Sequence, residues 1–377
     1  MKIGIDCRTI LDPKHGELAG VGHYTYFLLE NLLKIDQQNQ YVLFFDPRIG
    51  NAENFERKNS EIKYFPHPER KKYLPFVHSH LLVARFLQQQ KLNLFHSPAS
   101  TVPLAYPGKS VVTIHDLAIY HNPAWFPKGQ KFSTRIAVPQ TVRRANKIIA
   151  VSEYTKQDII KYFGIPDDKI IVVYNGVEDV EDVRDVGDVG DVREKFGIEQ
   201  NFIISISTLQ PRKNIEGLIK AFDSLRSSSV FNDYQLVIAG SKGWNYENIF
   251  QLVKKLALTK KVIFTGYISK NDKFALLREA SLLVFPSFYE GFGLSILEAM
   301  QQETPVVTSN ITSMPEVAGE AGLLVDPYKN ASIARGIKKV LTDQALQQKM
   351  IRSGLAQAKK FSWRMAAERT LEVYREV

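Results

Sequence analysis

Residues 282–300 read LLVFPSFYEGFGLSILEAM: an apolar run, a proline, a glycine-bearing loop and a second apolar stretch. The run Leu282-Leu283-Val284-Phe285 is short and apolar on both faces, as a strand buried inside a parallel sheet must be. Pro286 cannot extend the ladder, and Gly291 and Gly293 open a turn into a helix that starts near Gly293. Strand, loop and helix in that order make an α/β unit.

The same order recurs along the chain. Strands are expected at Lys2 to Asp6, Tyr41 to Phe45, Ser110 to His115, Lys147 to Val151 and Ile170 to Tyr174, then at Asn201 to Ser207, Gln235 to Gly240, Val262 to Gly266 and Pro305 to Ser309. Helical periodicity lies between them, at Gly22 to Ile35, Tyr154 to Phe163, Asn214 to Ser227 and Ser269 to Ala280. A chain of 377 residues built this way predicts two doubly wound α/β domains. The expected boundaries are 1–176 and 193–360, with 361–377 a terminal helix crossing back to the first domain.

Residues 177–192 interrupt the pattern. Asp-Val recurs every third residue, a period of neither helix nor strand, and the segment reads as an acidic interdomain linker. It lacks the Asp-x-Asp-x-Asp-Gly order of a calcium loop. Residues 1–176 carry 23 basic and 15 acidic side chains, and residues 193–377 carry 25 and 18, so both domains are basic and the net charge of +9 is what remains after the acidic segment between them. Such charge suits nucleic acid, an anionic membrane or an acidic substrate.

With 44% apolar and 24% charged residues, disorder, collagen and coiled coil are excluded. The single cysteine, Cys7, excludes an internal disulfide framework and points to the cytosol. The first ten residues do not read as a signal peptide, because Asp6 and Arg8 interrupt them. No apolar run is long enough to span a membrane.

In doubly wound sheets ligands bind beyond the carboxyl ends of the strands. Gly20-Val21-Gly22, His115-Asp116, Arg212-Lys213-Asn214, Gly240, Gly266-Tyr267 and the loop from Pro286 to Gly293 all fall at such ends. Arg212 and Lys213 precede a helix start and suit a phosphate or diphosphate, or else a solvated turn. His115 fits proton transfer or a hydroxyl contact, or a core histidine bonded to backbone. Glu290 in the loop and Glu298 on the helix suit sugar and ribose hydroxyls, or solvent. No Asp-x-Asp and no cluster with metal-ligand spacing occurs, so no metal or other cofactor is expected.

As a set, these residues resemble the family 4 glycosyltransferases, retaining enzymes of the two-domain GT-B fold, in which two Rossmann-like domains face across a cleft. The likeness runs from about residue 2 to residue 375. It is carried by Ile5-Asp6, Gly20-Val21-Gly22, Val112-Thr113-Ile114-His115-Asp116, Asn175-Gly176-Val177, Pro211-Arg212-Lys213-Asn214, Glu290 through Met300, Met314-Pro315-Glu316-Val317-Ala318-Gly319 and Phe361-Ser362-Trp363. It is strongest to the mannosyltransferases that build O-antigen-type polysaccharides.

The resemblance makes the first domain the acceptor side and the second the binder of a nucleotide sugar, GDP-mannose or a UDP-sugar. It gives catalytic positions to His115, Arg212, Lys213 and Glu290: Glu290 on the donor sugar's hydroxyls, Lys213 on the diphosphate and His115 beside the transferred sugar. Glu298 contacts the ribose, and Phe292, Gly293 and Leu294 meet sugar and phosphate through backbone. Gly22 approaches the diphosphate, while Gly240, Gly266 and Tyr267 border the base. Relatives carry an arginine five residues before the lysine, where this chain has Thr208; Arg212 is the alternative source of that charge.

The expected acceptor is a lipid-linked saccharide or growing polysaccharide, reached from the cytoplasm at the inner face of the plasma membrane. Arg70-Lys71-Lys72 and the stretch from Tyr73 to Leu87 are the expected contact with anionic lipid. A nucleotide-sugar epimerase on the same fold is the rival enzyme. A dinucleotide oxidoreductase is disfavoured because Thr25 stands where a third glycine belongs. Nucleic-acid binding is the non-enzyme rival, with no recognition motif to support it, and nucleic acid is not an expected partner.

Overall fold

The computed structural model describes residues 1–11, 20–49, 52–66, 78–127, 133–178 and 192–377. The chain divides into two units, one of Met1–His121, Lys128–Gly176 and Trp363–Val377, the other of Asn122–Pro127 and Val177–Ser362.

The first unit holds a seven-stranded sheet, in which every pairing is parallel. Its strands are β1 (Lys2–Asp6), β2 (Gln40–Phe45), β3 (Ser60–Tyr64), β4 (Leu94–Ser97), β5 (Ser110–Ile114), β6 (Lys147–Ala150) and β7 (Ile170–Val172), in the order β3-β2-β1-β4-β5-β6-β7. The order reverses at β1, where Ile3 pairs with Tyr41 on one side and Leu94 on the other. Such a reversal opens a crevice at the carboxyl ends of the two strands that flank it.

Helix α1 (Gly20–Ile35) buries Tyr24, Leu28, Leu29, Leu32 and Leu33, a helical stripe, against this sheet. The C-terminal helix Trp363–Arg375 joins the same core, burying Trp363, Ala366, Ala367, Thr370, Leu371 and Tyr374 on one face. Trp363 stacks on Phe27 of α1 with ring centroids 5.7 Å apart.

The second unit repeats the plan with six parallel strands: β8 (Asn201–Ile206), β9 (Tyr234–Ala239), β10 (Val262–Gly266), β11 (Leu282–Phe285), β12 (Val306–Ser309) and β13 (Leu323–Val325). Their order is β10-β9-β8-β11-β12-β13, so the reversal lies between β8 and β11, where Leu282 and Leu283 pair with Ile203 and Ile204. The helices Ile215–Leu225, Lys270–Glu279, Leu294–Gln301 and Asn330–Thr342 cover the sheet.

The α/β class and the two doubly wound sheets agree with expectation. Three strands, Ser60–Tyr64, Leu94–Ser97 and Leu323–Val325, were not anticipated. They are three to five residues long, and two of them carry polar residues that break an apolar run: Glu61 and Lys63 in β3, His96 and Ser97 in β4. Strand β7 is shorter than expected, ending at Val172.

Most of the Asp-Val repeat, residues 179–191, lies outside the described residues. Both of its flanks bind one helix of the second unit: Glu178 bonds Lys270, Lys195 lies 2.7 Å from Asp272, and Arg193 lies 3.3 Å from Glu279. The cluster Arg70-Lys71-Lys72 also falls outside the described residues. The helix Val83–Gln89 buries Val83, Ala84 and Leu87 in a core of the first unit. Among the described residues no helix is long and apolar enough to cross a membrane.

Candidate active site

In the second unit the chain leaves β8 through Ser207 to Gln210 into a short turn, Pro211–Lys213, with proline preset at its first position. Asn214 follows in the left-handed region, at φ +55°, and caps the helix Ile215–Leu225. Its side-chain amide donates to the carbonyls of Pro286 and Pro327, at 3.1 and 2.7 Å, fastening the loop after β8 to those after β11 and β13. The Phe288 amide donates to the Arg212 carbonyl at 2.8 Å. The two loops at the β8/β11 reversal are thereby one structure.

Glu290 stands at the centre of it. Lys213 Nζ lies 2.5 Å from Glu290 Oε1, and Arg212 Nη1 lies 2.9 Å from Oε2 and 3.0 Å from the Tyr289 carbonyl. The Glu290 side chain is 8% exposed, and those of Arg212 and Lys213 are 15% and 11%. Burial works against a charged Glu290, but Lys213 and Arg212 outweigh it and hold the carboxyl below its ordinary range. Two cations converge on one carboxylate at a sheet edge where anions are favoured.

The glycine loop is clamped from a third side. Ser313 Oγ lies 3.0 and 2.9 Å from the Glu290 and Phe292 carbonyls and shares its one proton between them, and Thr312 Oγ1 accepts from the Glu290 amide at 3.3 Å. Gly293 then turns the chain at φ +109°, a conformation that side chains resist, and the helix Leu294–Gln301 begins. Phe292 is buried against Phe361, with centroids 5.7 Å apart, and Leu294 is half-buried.

Glu298, on the second turn of that helix, is in a separate ion pair, 2.6 Å from Lys273 Nζ. Gly240 ends β9 against the first loop, where a Cβ would sit 2.1 Å from the Ser207 carbonyl oxygen. Its amide donates to the Gly266 carbonyl at 2.8 Å, and Tyr267 beyond it is 64% exposed. Of the expected positions in this unit, Arg212, Lys213 and Glu290 are in direct contact, Phe292 to Leu294 continue the same loop, and Gly240 and Gly266 touch each other.

Gly22 and His115 belong to the first unit. Gly22 is buried in the first turn of α1. His115 follows β5, and its Nε2 lies 2.7 Å from the Pro98 carbonyl. A carbonyl only accepts, so Nε2 carries the proton and the neutral ring offers Nδ1 as an acceptor. Burial lowers the His115 pKa, although the Pro98 carbonyl and Asp116 act to raise it. The Tyr24 ring meets His115 edge-on at 4.6 Å. Behind it runs a buried chain of bonds: Tyr24 Oη to Thr113 Oγ1 at 3.1 Å, Thr113 Oγ1 to His96 Nε2 at 2.9 Å, and His96 Nδ1 to Tyr374 Oη at 2.7 Å.

Sequence reasoning missed Thr312, Ser313 and Lys273. Hydroxyl residues directly before Met314-Pro315 are a helix-start signal that would have found the first two. Lys273 had no such signal, since a lysine in a helical pattern reads as solvated. Trp125 was also missed: in the segment Asn122–Pro127, it stacks on Phe288 at 6.0 Å and accepts a bond from Trp244 Nε1 through its carbonyl. Among the described residues no group of three His, Cys, Asp or Glu could hold a metal ion.

Residues 18–181 match the family described as Glycosyltransferase Family 4, and residues 189–357 match Glycosyl transferases group 1. The chain is 31% identical to the O-antigen chain mannosyltransferase B of Escherichia coli over 97% of its own length and 98% of that protein's. It is 33% identical to the serotype-specific mannosyltransferase WbdA of Escherichia coli over 74% of its length, but spans only 35% of that larger protein. Its fold is shared with Anabaena HepE, solved in complex with UDP-glucose, at a TM-score of 0.75 with 20% identity over the whole of both chains. Two parallel Rossmann-like sheets of this kind, with a full-length relative at this identity, make the chain a glycosyltransferase of the family 4 and group 1 type.

Proposed function

We propose that the chain is a retaining mannosyltransferase that takes mannose from GDP-mannose and adds it to a growing or lipid-linked bacterial polysaccharide of the O-antigen type. The observation that carries the chemistry is the cluster of Arg212, Lys213 and Glu290 at the β8/β11 reversal, a preorganised positive site for a diphosphate. Mannose and the polysaccharide acceptor rest on the full-length likeness to an O-antigen chain mannosyltransferase.

In this mechanism the bond from the anomeric carbon to the diphosphate breaks, and its electron pair stays on the leaving phosphate oxygen. The acceptor oxygen bonds the anomeric carbon on the same face, and its proton passes to that phosphate oxygen. Arg212 and Lys213 meet the charge that develops on the leaving group, so no metal is assigned that task. Glu290, held in place by both cations, accepts hydrogen bonds from the donor sugar's hydroxyls. Backbone amides at Phe292, Gly293 and Leu294 meet sugar and phosphate, Glu298 takes the ribose, and Gly240, Gly266 and Tyr267 border the base. In the first unit, His115 Nδ1 is available to a sugar hydroxyl.

The test is a panel of GDP- and UDP-sugars with a polysaccharide primer, run with and without a metal chelator. Chelator-resistant transfer of mannose from GDP-mannose with an α-linked product is expected, since that donor is α-linked and the mechanism retains its configuration. Transfer only from UDP-sugars, inversion of configuration, or loss of activity on chelation would each overturn its part of the proposal.

A further inference from the structure

The helix Lys270–Glu279 opens with a complete capping box: Ser269 accepts from the Asp272 amide, and Asp272 accepts from the Ser269 amide. Lys273 follows in the helix that this cap starts. Lysine is among the residues least often buried, yet the Lys273 side chain is only 9% exposed. Its Nζ lies 2.6 Å from Glu298 Oε1, and the Glu298 side chain is 11% exposed.

Replacing a buried ion pair of this kind by apolar side chains is often neutral or stabilising, so stability alone is a weak reason for it. The other Glu298 oxygen, Oε2, has no hydrogen-bond partner among the described residues. One oxygen is tied down and one is left for a ligand. Glu178, also buried, sits beside the pair and bonds Lys270 one turn before Lys273, while Gln301 Nε2 donates to the Glu178 carbonyl at 2.6 Å. Burial pushes the Glu178 carboxyl up, against the pull of Lys270 and Lys273. Lys273 thus stands between two buried carboxyl groups and is bonded to one.

We infer that Lys273 is a positioning residue for nucleotide recognition: by holding Glu298 Oε1 it aims Oε2 at a ribose hydroxyl of the nucleoside diphosphate. The inference rests on the proposed ribose role of Glu298. It predicts that preference for ribonucleotides over deoxyribonucleotides depends on Lys273 as much as on Glu298.

The experiment is calorimetric titration with GDP and UDP and with their 2′-deoxy and 3′-deoxy forms, on the wild type, Glu298→Gln, Lys273→Met and Lys273→Arg. Each variant is first checked for a cooperative melt. A hydrogen bond to a carboxylate supports a preference of roughly 10-fold or more for the ribonucleotide over the analogue lacking that hydroxyl. Glu298→Gln and Lys273→Met are each expected to remove most of that preference, and Lys273→Arg to restore much of it. If Lys273→Met weakens both nucleotide forms equally and keeps their ratio, its role is packing and the inference fails while Glu298 keeps the ribose. If Glu298→Gln leaves the ratio intact, the ribose assignment itself fails. Where Lys273→Met does not fold, Lys273→Gln replaces it: loss of the ratio supports the positioning role, and a retained ratio overturns it.

Discussion

At the order reversal of the second sheet, Arg212 and Lys213 share the single carboxylate of Glu290. At the reversal of the first sheet the cation close by, Arg8, is closed on Asp6 two residues away, Nε to Oδ1 at 2.9 Å and Nη2 to Oδ2 at 2.6 Å. The same unit carries a buried chain of three hydroxyls and one imidazole, through Tyr24, Thr113, His96 and Tyr374. Among the described residues, one edge gathers two cations on a carboxylate, and the other pairs its cation with a neighbouring aspartate and carries a chain of hydrogen bonds. A diphosphate needs the first kind of edge, and a neutral, hydroxyl-rich saccharide is served by the second. Topology alone does not distinguish them; the residues placed at equivalent positions do.

Removing one of the two clustered cations is the strongest way to break this contrast. Lys213→Ala removes the cation that lies 2.5 Å from Glu290 Oε1 and leaves Arg212 on the other carboxylate oxygen. The transfer rate is expected to fall on the order of 100-fold or more, as for loss of one preorganised contact to a developing anion. Initial rates at saturating acceptor, on a variant with a wild-type melting temperature, check it. Near-full activity would show that the diphosphate is held elsewhere.

Acid separates the two edges next. Burial, helped by the nearby His115, pushes His96 down to about 3, far below an ordinary histidine. The folded state therefore stays unprotonated at His96 while the unfolded chain takes up a proton below pH 6.5. Stability falls as pH drops from about 6.5 toward that depressed value, by about 1.4 kcal/mol per pH unit for one such group. Glu290 has its carboxyl held low by Lys213 and Arg212, so its contribution stays whole at pH 7.5 to 5 and is lost only as pH falls below the ordinary carboxyl range. Urea unfolding at pH 7.5, 6 and 5 is expected to show this slope, and His96→Gln to flatten it. An unchanged slope in the variant would move the acid sensitivity to another group.

Much of this was legible in the sequence. Short apolar runs ending in glycine, histidine or paired cations fix the α/β class, because only parallel strands covered on both faces look like that. The strand Leu94–Ser97 escaped because His96 and Ser97, although fully buried, read as polar; His96 bonds Tyr374 across the fold, and Ser97 donates to the Thr101 carbonyl four residues on. Arg212, Lys213 and Glu290 stood out by residue type and position. Their mutual ion pairs did not, since 77 or 78 residues separate them and only the adjacency of β8 and β11 brings them together. Lys273 was hidden for the opposite reason, as one lysine among many on a helix, with nothing local to mark it as buried.

The finest test of the contrast lies inside the hydroxyl chain. Tyr24→Phe removes the bond to Thr113, but Thr113 keeps His96 as a partner and the ring stays beside His115. Tyr374→Phe takes the partner from His96 Nδ1, which is fully buried. An exchanged hydrogen bond is worth about 1 kcal/mol, whereas an orphaned buried group costs about 1–3 kcal/mol. Tyr24→Phe is therefore expected to lose about 1 kcal/mol in urea unfolding, with Tyr374→Phe losing more. A larger loss for Tyr24→Phe would place the anchor of this network on α1 and not on the C-terminal helix.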